Sequence, residues 1–144
     1  MLIKNAMKKD IPDISKLMLE EFKKPPFNEK TSINTVLKSV SFYFKIGKIF
    51  VAIADKEIVG VLVFKIEQYW EGTIIIIEDL VVKERFRRKK IGEMLMNNME
   101  AYAKNKGLKK VILKTDRKAI AVKFYQKCGY KVKNDIIHFE KKIN

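Results

Sequence analysis

Cysteine and histidine are almost absent from this 144-residue chain, each occurring once, as Cys128 and His138. A single cysteine excludes an intrachain disulfide, and one distant histidine makes no cluster with transition-metal spacing, so no metal is expected. No uncharged apolar run approaches the ~20 residues needed to cross a bilayer, and Met1-Leu2-Ile3-Lys4-Asn5 lacks the apolar stretch of a secretion signal. These absences point to a soluble, cytoplasmic protein with no membrane partner. No repeat, low-complexity tract or linker interrupts the chain, and 47% apolar residues suffice for one core. A single domain spanning residues 1–144 is expected.

Acidic residues are scarce in one half only. Residues 1–82 hold 12 Lys+Arg against 11 Asp+Glu, whereas residues 83–144 hold 19 against 6, and this half supplies most of the net charge of +14. A strongly basic chain suggests nucleic acid, because neutralising phosphates dominates that kind of binding. The charge here is local instead. The eight residues Lys83–Lys90 carry six positive charges and one negative, directly between the apolar run Ile74–Val82 and an amphipathic segment. A helix start exposes unpaired backbone N–H groups at the positive end of the peptide dipoles, so this junction suits a polyphosphate ligand. Nucleic acid becomes an unlikely partner.

The patterning predicts a strand at Leu2–Met7, then a helix capped by Asp10 that runs to Phe22. Ile11, Ile14, Leu17, Met18 and Phe22 form its apolar stripe, and Pro25-Pro26 ends it. A second helix begins near Ser32 and stops at Gly47. Strands follow at Ile49–Ala54 and Ile58–Ile66 around an Asp55-Lys56-Glu57 turn. After a turn at Glu67–Gly72, Thr73–Val82 is the most apolar strand and is expected to be central, covered on both faces. A third helix runs from about Lys90 to Gly107, a strand occupies Val111–Thr115, and a short helix Ala119–Lys127 ends at Gly129. Tyr130–Lys133 and Ile136–Lys141 read as a final hairpin. The Thr73–Thr115 segment is long enough for a right-handed parallel crossover, while short turns elsewhere require antiparallel neighbours. The fold class is therefore α/β (α+β): a mixed, mostly antiparallel twisted sheet with one parallel crossover and helices on both faces.

Two motifs in this order resemble the GNAT superfamily of acetyl-CoA-dependent N-acetyltransferases. Arg87-Arg88-Lys89-Lys90-Ile91-Gly92 is similar to the family signature [Arg/Gln]-x-x-Gly-x-[Gly/Ala], with Lys90 replacing the first glycine. A lysine there is expected to take ordinary helical φ/ψ with its side chain outward. Lys118-Ala119-Ile120-Ala121-Val122-Lys123-Phe124-Tyr125-Gln126-Lys127-Cys128-Gly129-Tyr130 resembles the second element, with Lys118 in place of its asparagine. The resemblance covers nearly the whole chain and implies acetyl-CoA as co-substrate. It assigns Arg87, Arg88, Lys89, Lys90, Ile91, Gly92 and Glu93 to the pyrophosphate. Backbone groups of Leu80, Val81 and Val82 fall to the pantetheine arm, with further cofactor contacts from Lys118, Ala121, Phe124 and Lys127.

By the same resemblance Tyr125 is the general acid that protonates the departing thiolate; a phenol with a pKa near 10 is a credible donor. Glu78 follows four consecutive isoleucines, where a carboxylate must find a partner or raise its pKa. The Glu-Asp pair is similar to that of spermidine/spermine acetyltransferases, which makes Glu78 the candidate base. Strand alternation places Asp79 on the opposite face, in a structural role. Cys128 has no histidine near it in sequence to activate it, and His138 reads as structural. Tyr69 and Trp70, in a turn, are expected to pack along an edge. Exposed Lys83 and Arg85 read as a solvated face.

The resemblance implies an N-acetyltransferase acting on a primary amine by direct transfer in a ternary complex. The first half of the chain shapes the acceptor pocket in this family. Glu20, Glu21, Glu67 and Glu71 make a small amine or polyamine admissible there, and a peptide amine, whether a protein N-terminus or lysine, equally so. A homodimer is admissible. A non-catalytic acyl-CoA-binding module and a basic nucleic-acid-binding module are the readings from other classes.

Overall fold

A computed structural model describes residues 1–25 and 27–144; the expected break at Pro25-Pro26 lies partly outside the described residues, since Pro26 is not among them. The chain divides into two compact units, residues 1–114 and 115–144. The first holds a five-stranded sheet of β1 (Leu2–Asn5), β2 (Lys48–Ala54), β3 (Glu57–Tyr69), β4 (Gly72–Val82) and β5 (Val111–Leu113), with neighbours in that order. Pairs β1–β2, β2–β3 and β3–β4 are antiparallel, and β4–β5 is parallel. Helices α1 (Ile11–Phe22), α2 (Ile33–Ile46) and α3 (Ile91–Asn105) complete this unit. The expected sheet and crossover are present, with one adjustment: the most apolar strand, β4, is fourth in order and β3 occupies the middle.

Two apolar layers sandwich the sheet. On one face Ile14, Leu17 and Met18 of α1 and Val36 and Val40 of α2 pack with Ile49, Val51, Val61, Val63 and Val81. On the other, Ile91, Leu95, Met96 and Met99 of α3 are fully buried, beside the mutually contacting rings of Phe50, Phe64 and Tyr102. Each such aliphatic side chain contributes about 1.5–3 kcal/mol by leaving water. Gly60 on β3 sets how closely the third helix approaches. A Cβ there would stand 3.0 Å from Ile91 Cγ2 and 3.1 Å from Leu95 Cδ1, so the missing side chain seats the first turns of α3 against the sheet.

Local signals account for most boundaries. Ser32 caps α2 by accepting a hydrogen bond from the Thr35 N–H at 3.3 Å. Asp10 stands before α1, but its carboxylate accepts from the Met7 N–H at 2.8 Å and closes the 3-10 turn Lys8–Asp10 instead. The turn expected over Glu67–Gly72 is shorter than its sequence suggests. Tyr69 pairs with Gly72, leaving only Trp70 and Glu71 at the tip, with Trp70 fully exposed rather than packed along an edge.

The second unit contains one helix, α4 (Ala121–Lys127). The expected final hairpin is not formed: among the described residues no strand follows β5. Ile136 and Ile137 are adjacent and both exposed, as is Phe139. Consecutive apolar residues break the alternation that gives a hairpin one buried face, and an isolated two-stranded hairpin is at best marginal in water.

Candidate active site

The β3–β4 pairing slips by one residue. Val63 faces Asp79 and Phe64 faces Ile77, so Glu78 is the extra residue of a bulge. The slip overturns the alternation expected for the acidic pair. Glu78 lies within 3.4 Å of Lys65 Nζ through Oε1, and its Oε2 accepts from the Tyr43 hydroxyl of α2 at 3.5 Å. Asp79 meanwhile lines a cleft with Tyr43, Val36, Val40 and Val63. Both carboxylates therefore face the α1–α2 side. Burial, with Glu78's charge second, raises the Asp79 carboxyl to about 7, and Tyr43 is pushed above its ordinary value by burial and then by both carboxylates. Lys65, shared by Glu67 at 2.9 Å and Glu78, is held charged above its usual range.

On the other edge of β4, strand β5 pairs only with Ile75, Ile76 and Ile77. Beyond Ile77 the β5 edge of Glu78–Val82 carries no strand partner among the described residues. Leu80, Val81 and Val82, expected to offer backbone groups, occupy this stretch. Val81's side chain is buried in the core.

The chain then runs through a 3-10 turn, Glu84–Phe86, to the start of α3. Lys90 immediately precedes the helix with φ 63° and ψ 19°, in the left-handed region, and no side chain caps this end. The right-handed conformation expected there is thus corrected. Lysine reproduces the backbone that the motif's glycine reaches without cost, at the expense of roughly 1–2 kcal/mol of local strain. Arg88 is also left-handed, at φ 63°. Met94 N–H already bonds the Lys90 carbonyl at 3.0 Å, so the N–H groups of Ile91, Gly92 and Glu93 are those that α3 itself leaves unpaired.

The six cations of Lys83–Lys90 are not equivalent. Lys83 and Arg85 both pair with Glu57, which holds its carboxyl below the ordinary range, so they are not merely a solvated face. Lys89 lies over the Phe86 ring at 5.2 Å. Arg87 donates from Nη2 to Glu21 Oε1 at 2.6 Å and from Nε to the Val82 carbonyl at 3.1 Å. Glu21 is only 1% exposed and also takes Lys24 Nζ at 3.1 Å, which in turn bridges to Glu84 at 3.0 Å. The guanidinium expected at a pyrophosphate is therefore engaged in fastening the loop to α1. Arg88 and Lys90 have no ion pair among the described residues. Arg87→Ala would leave Glu21 buried with Lys24 as its remaining partner. Stability is expected to fall by roughly 2–3 kcal/mol, somewhat below the usual cost of orphaning a buried charge, and a urea midpoint unchanged from the parent would remove this fastening role.

Within the second unit, Tyr125 sits on α4 with its ring edge-on to Phe124 at 5.2 Å and to Tyr130 at 6.1 Å. Tyr130 N–H bonds the Tyr125 carbonyl at 2.9 Å, and Gly129, at φ 94°, closes the helix. Lys118 lies in the preceding turn, its N–H bonded to Asp116 Oδ1 at 2.8 Å. Ala121, Phe124 and Lys127 belong to α4. His138 contacts Glu140 at 3.0 Å.

Sequence reasoning missed Tyr43, Lys65 and the aromatic cleft residues Phe22 and Phe27. The Glu-Asp doublet was the one available hint, because two adjacent carboxylates in an apolar strand both need polar surroundings. Among the described residues no group of His, Cys, Asp and Glu could hold a metal ion, and no helix is long and apolar enough to cross a membrane.

Residues 12–130 match the sequence model described as the acetyltransferase (GNAT) family. A curated relative, Probable N-acetyltransferase 14 of Xenopus tropicalis, is 32% identical over 100 residues, 67% of this chain. The chain matches about half of that relative, 48% of its length. A possible acetyltransferase from Clostridium difficile 630 superposes with a TM-score of 0.86 at 18% identity, over 99% of this chain and 97% of its own. AAC(6')-Iy, solved with the bisubstrate analogue CoA-S-monomethyl-acetylneamine, gives 0.79 at 17% identity, over 99% and 98%.

Proposed function

The chain belongs to the acetyltransferase (GNAT) family, and from that premise we propose that it moves an acetyl group from acetyl-CoA to a primary amine by direct transfer in a ternary complex. The observation that carries this reading is the departure of β5 from β4 after Ile77, on the strand that leads to an uncapped helix start flanked by Arg88 and Lys90. A peptide-like arm can complete the free edge, and a diphosphate can take the amides of Ile91, Gly92 and Glu93. The residues therefore fit the ligand, with Leu80, Val81 and Val82 on the pantetheine. Arg88, Lys89 and Lys90 surround the phosphates, and Arg87 holds the loop they sit on. In this reading Lys118, Ala121, Phe124 and Lys127 supply the remaining contacts. The family match over residues 12–130 supports reading the chain as one domain.

Bound acetyl-CoA supplies the thioester carbon that the amine attacks. The acceptor arrives as an ammonium ion and must lose a proton before its nitrogen can form the new bond. The Glu78–Asp79 pair receives that proton, Glu78 being oriented by Lys65 and Tyr43. As the carbon–sulfur bond breaks, Tyr125 gives its phenolic proton to sulfur, while the second proton of the acylated nitrogen passes to solvent, from which the phenolate is reprotonated. Acetyl-CoA at 100 times its dissociation constant is expected to stabilise the protein by about 2.7 kcal/mol. Adding an amine should then release free thiol, read with a disulfide reagent. Stabilisation without thiol release on any amine would leave a binding module, and the absence of both would overturn the reading.

A further inference from the structure

The cleft beneath Asp79 has a composition that selects among amines. It occupies about 350 Å³, and its apolar lining is Met18, Phe22, Phe27, Val36, Val40, Tyr43 and Val63. Phe22 and Phe27 meet edge to face at 5.4 Å, so one boundary is a continuous aromatic surface. Besides Asp79, the polar lining is Glu29, Thr31, Thr35 and Ser39, with Thr31 half-buried. Thr35, Ser39 and Glu29 are exposed at the rim, and the Thr35 hydroxyl is already 3.1 Å from that of Ser32. Of the two carboxylates in the lining, Glu29 is exposed and Asp79 half-buried, with Glu78 beside Asp79 on the same face.

Resting on the acetyltransferase reading of this site, we propose that the acceptor is a primary amine carried on a single apolar arm, its nitrogen against the Asp79–Glu78 pair and its arm between Phe22, Phe27 and Tyr43. Charge complementarity selects the ammonium end, and the aromatic wall selects the other. A sugar-based polyamine would place hydroxyls and further ammonium groups against Met18, Val36 and Val40, where they lose water and find no partner. An aliphatic or phenyl arm loses nothing there and buries apolar area.

Around Asp79 stand Glu78 from its own strand, Tyr43 from α2 and Glu29 at the rim, while Lys65 of β3 pairs with Glu78. Burial, with the Glu78 charge second, places the Asp79 carboxyl at about 7. Its ionised form, which both attracts the ammonium and accepts its proton, grows as pH rises through that value, so kcat/KM is expected to climb there. Asp79→Asn should flatten that rise.

The test is acetyl-CoA-dependent thiol release with the full chain on 2-phenylethylamine, n-hexylamine, putrescine, spermidine and kanamycin. The two monoamines are expected to exceed the other three in kcat/KM by at least tenfold. Phe27→Ser, at a half-exposed position, should raise KM for 2-phenylethylamine about tenfold while changing kcat far less. A preference for putrescine, spermidine or kanamycin would overturn the inference and leave the acetyltransferase standing. An unchanged KM in Phe27→Ser would overturn the placement of the arm. Thiol release on no amine, despite stabilisation by acetyl-CoA, would overturn both the inference and the reading beneath it.

Discussion

Tyr125→Phe is expected to lower kcat by roughly 10²–10⁴, the range lost with a positioned proton donor, while acetyl-CoA still raises the melting temperature as it does for the parent. The substitution removes one oxygen and keeps the ring, so the edge-on contacts with Phe124 and Tyr130 persist. Folding of α4 should not change, which makes the split between turnover and binding interpretable. Without the donor, sulfur must leave as a thiolate or take its proton from water. The loss should therefore shrink with acyl donors whose thiol is more acidic, since these need less protonation. A variant as fast as the parent would take Tyr125 out of the mechanism.

Gly92→Asp should abolish stabilisation by acetyl-CoA. Gly92 is the second residue of α3, where an anion would oppose the phosphates at the amides they need. The same aspartate has the opposite effect on the empty protein. Carboxylates in a helix's first turn are favourable by about 0.3–1 kcal/mol, and glycine is the weaker helix former. The melting temperature without ligand is thus expected to hold or rise while the ligand-induced increment vanishes. A general folding defect would lower both, and a retained increment would argue that the phosphates bind elsewhere.

Much of the scaffold was legible because its signals are local. Ser32 and Gly47 bracket α2 by capping chemistry, and the run Ile74–Ile77 could only be a buried strand. The crossover from β4 through α3 to β5 followed from length alone. What escaped depends on pairing. Asp79 was placed on the wrong face because alternation counts residues along one strand, and a bulge is a property of two. The ion pair of Arg87 was not legible because its partner, Glu21, lies 66 residues away on a helix whose stripe gave no reason to bury a carboxylate. Lys90 could not be read as left-handed, since a lysine carries no signal for that region; only the resemblance to a glycine position hinted at it. The final hairpin failed for the reverse reason: its turn residues were plausible, but two adjacent isoleucines cannot both face inward.

The bulge at Glu78 also bears on how this chain can tolerate change in length. β4 carries one more residue than the stretch of β3 it pairs with, and everything from Asp79 onward is set by that surplus. Losing a single codon in this stretch would return the strand to simple alternation and rotate what lies upstream of it half a turn relative to Asp79 and Val81. Either the isoleucines or the acidic residue would then point the wrong way. Point substitutions across β4 test one side chain at a time, whereas an in-frame deletion tests the geometry that brings two carboxylates to one wall. Related chains could therefore vary freely in the tip around Trp70, yet the count of residues between that tip and Arg87 should be nearly invariant.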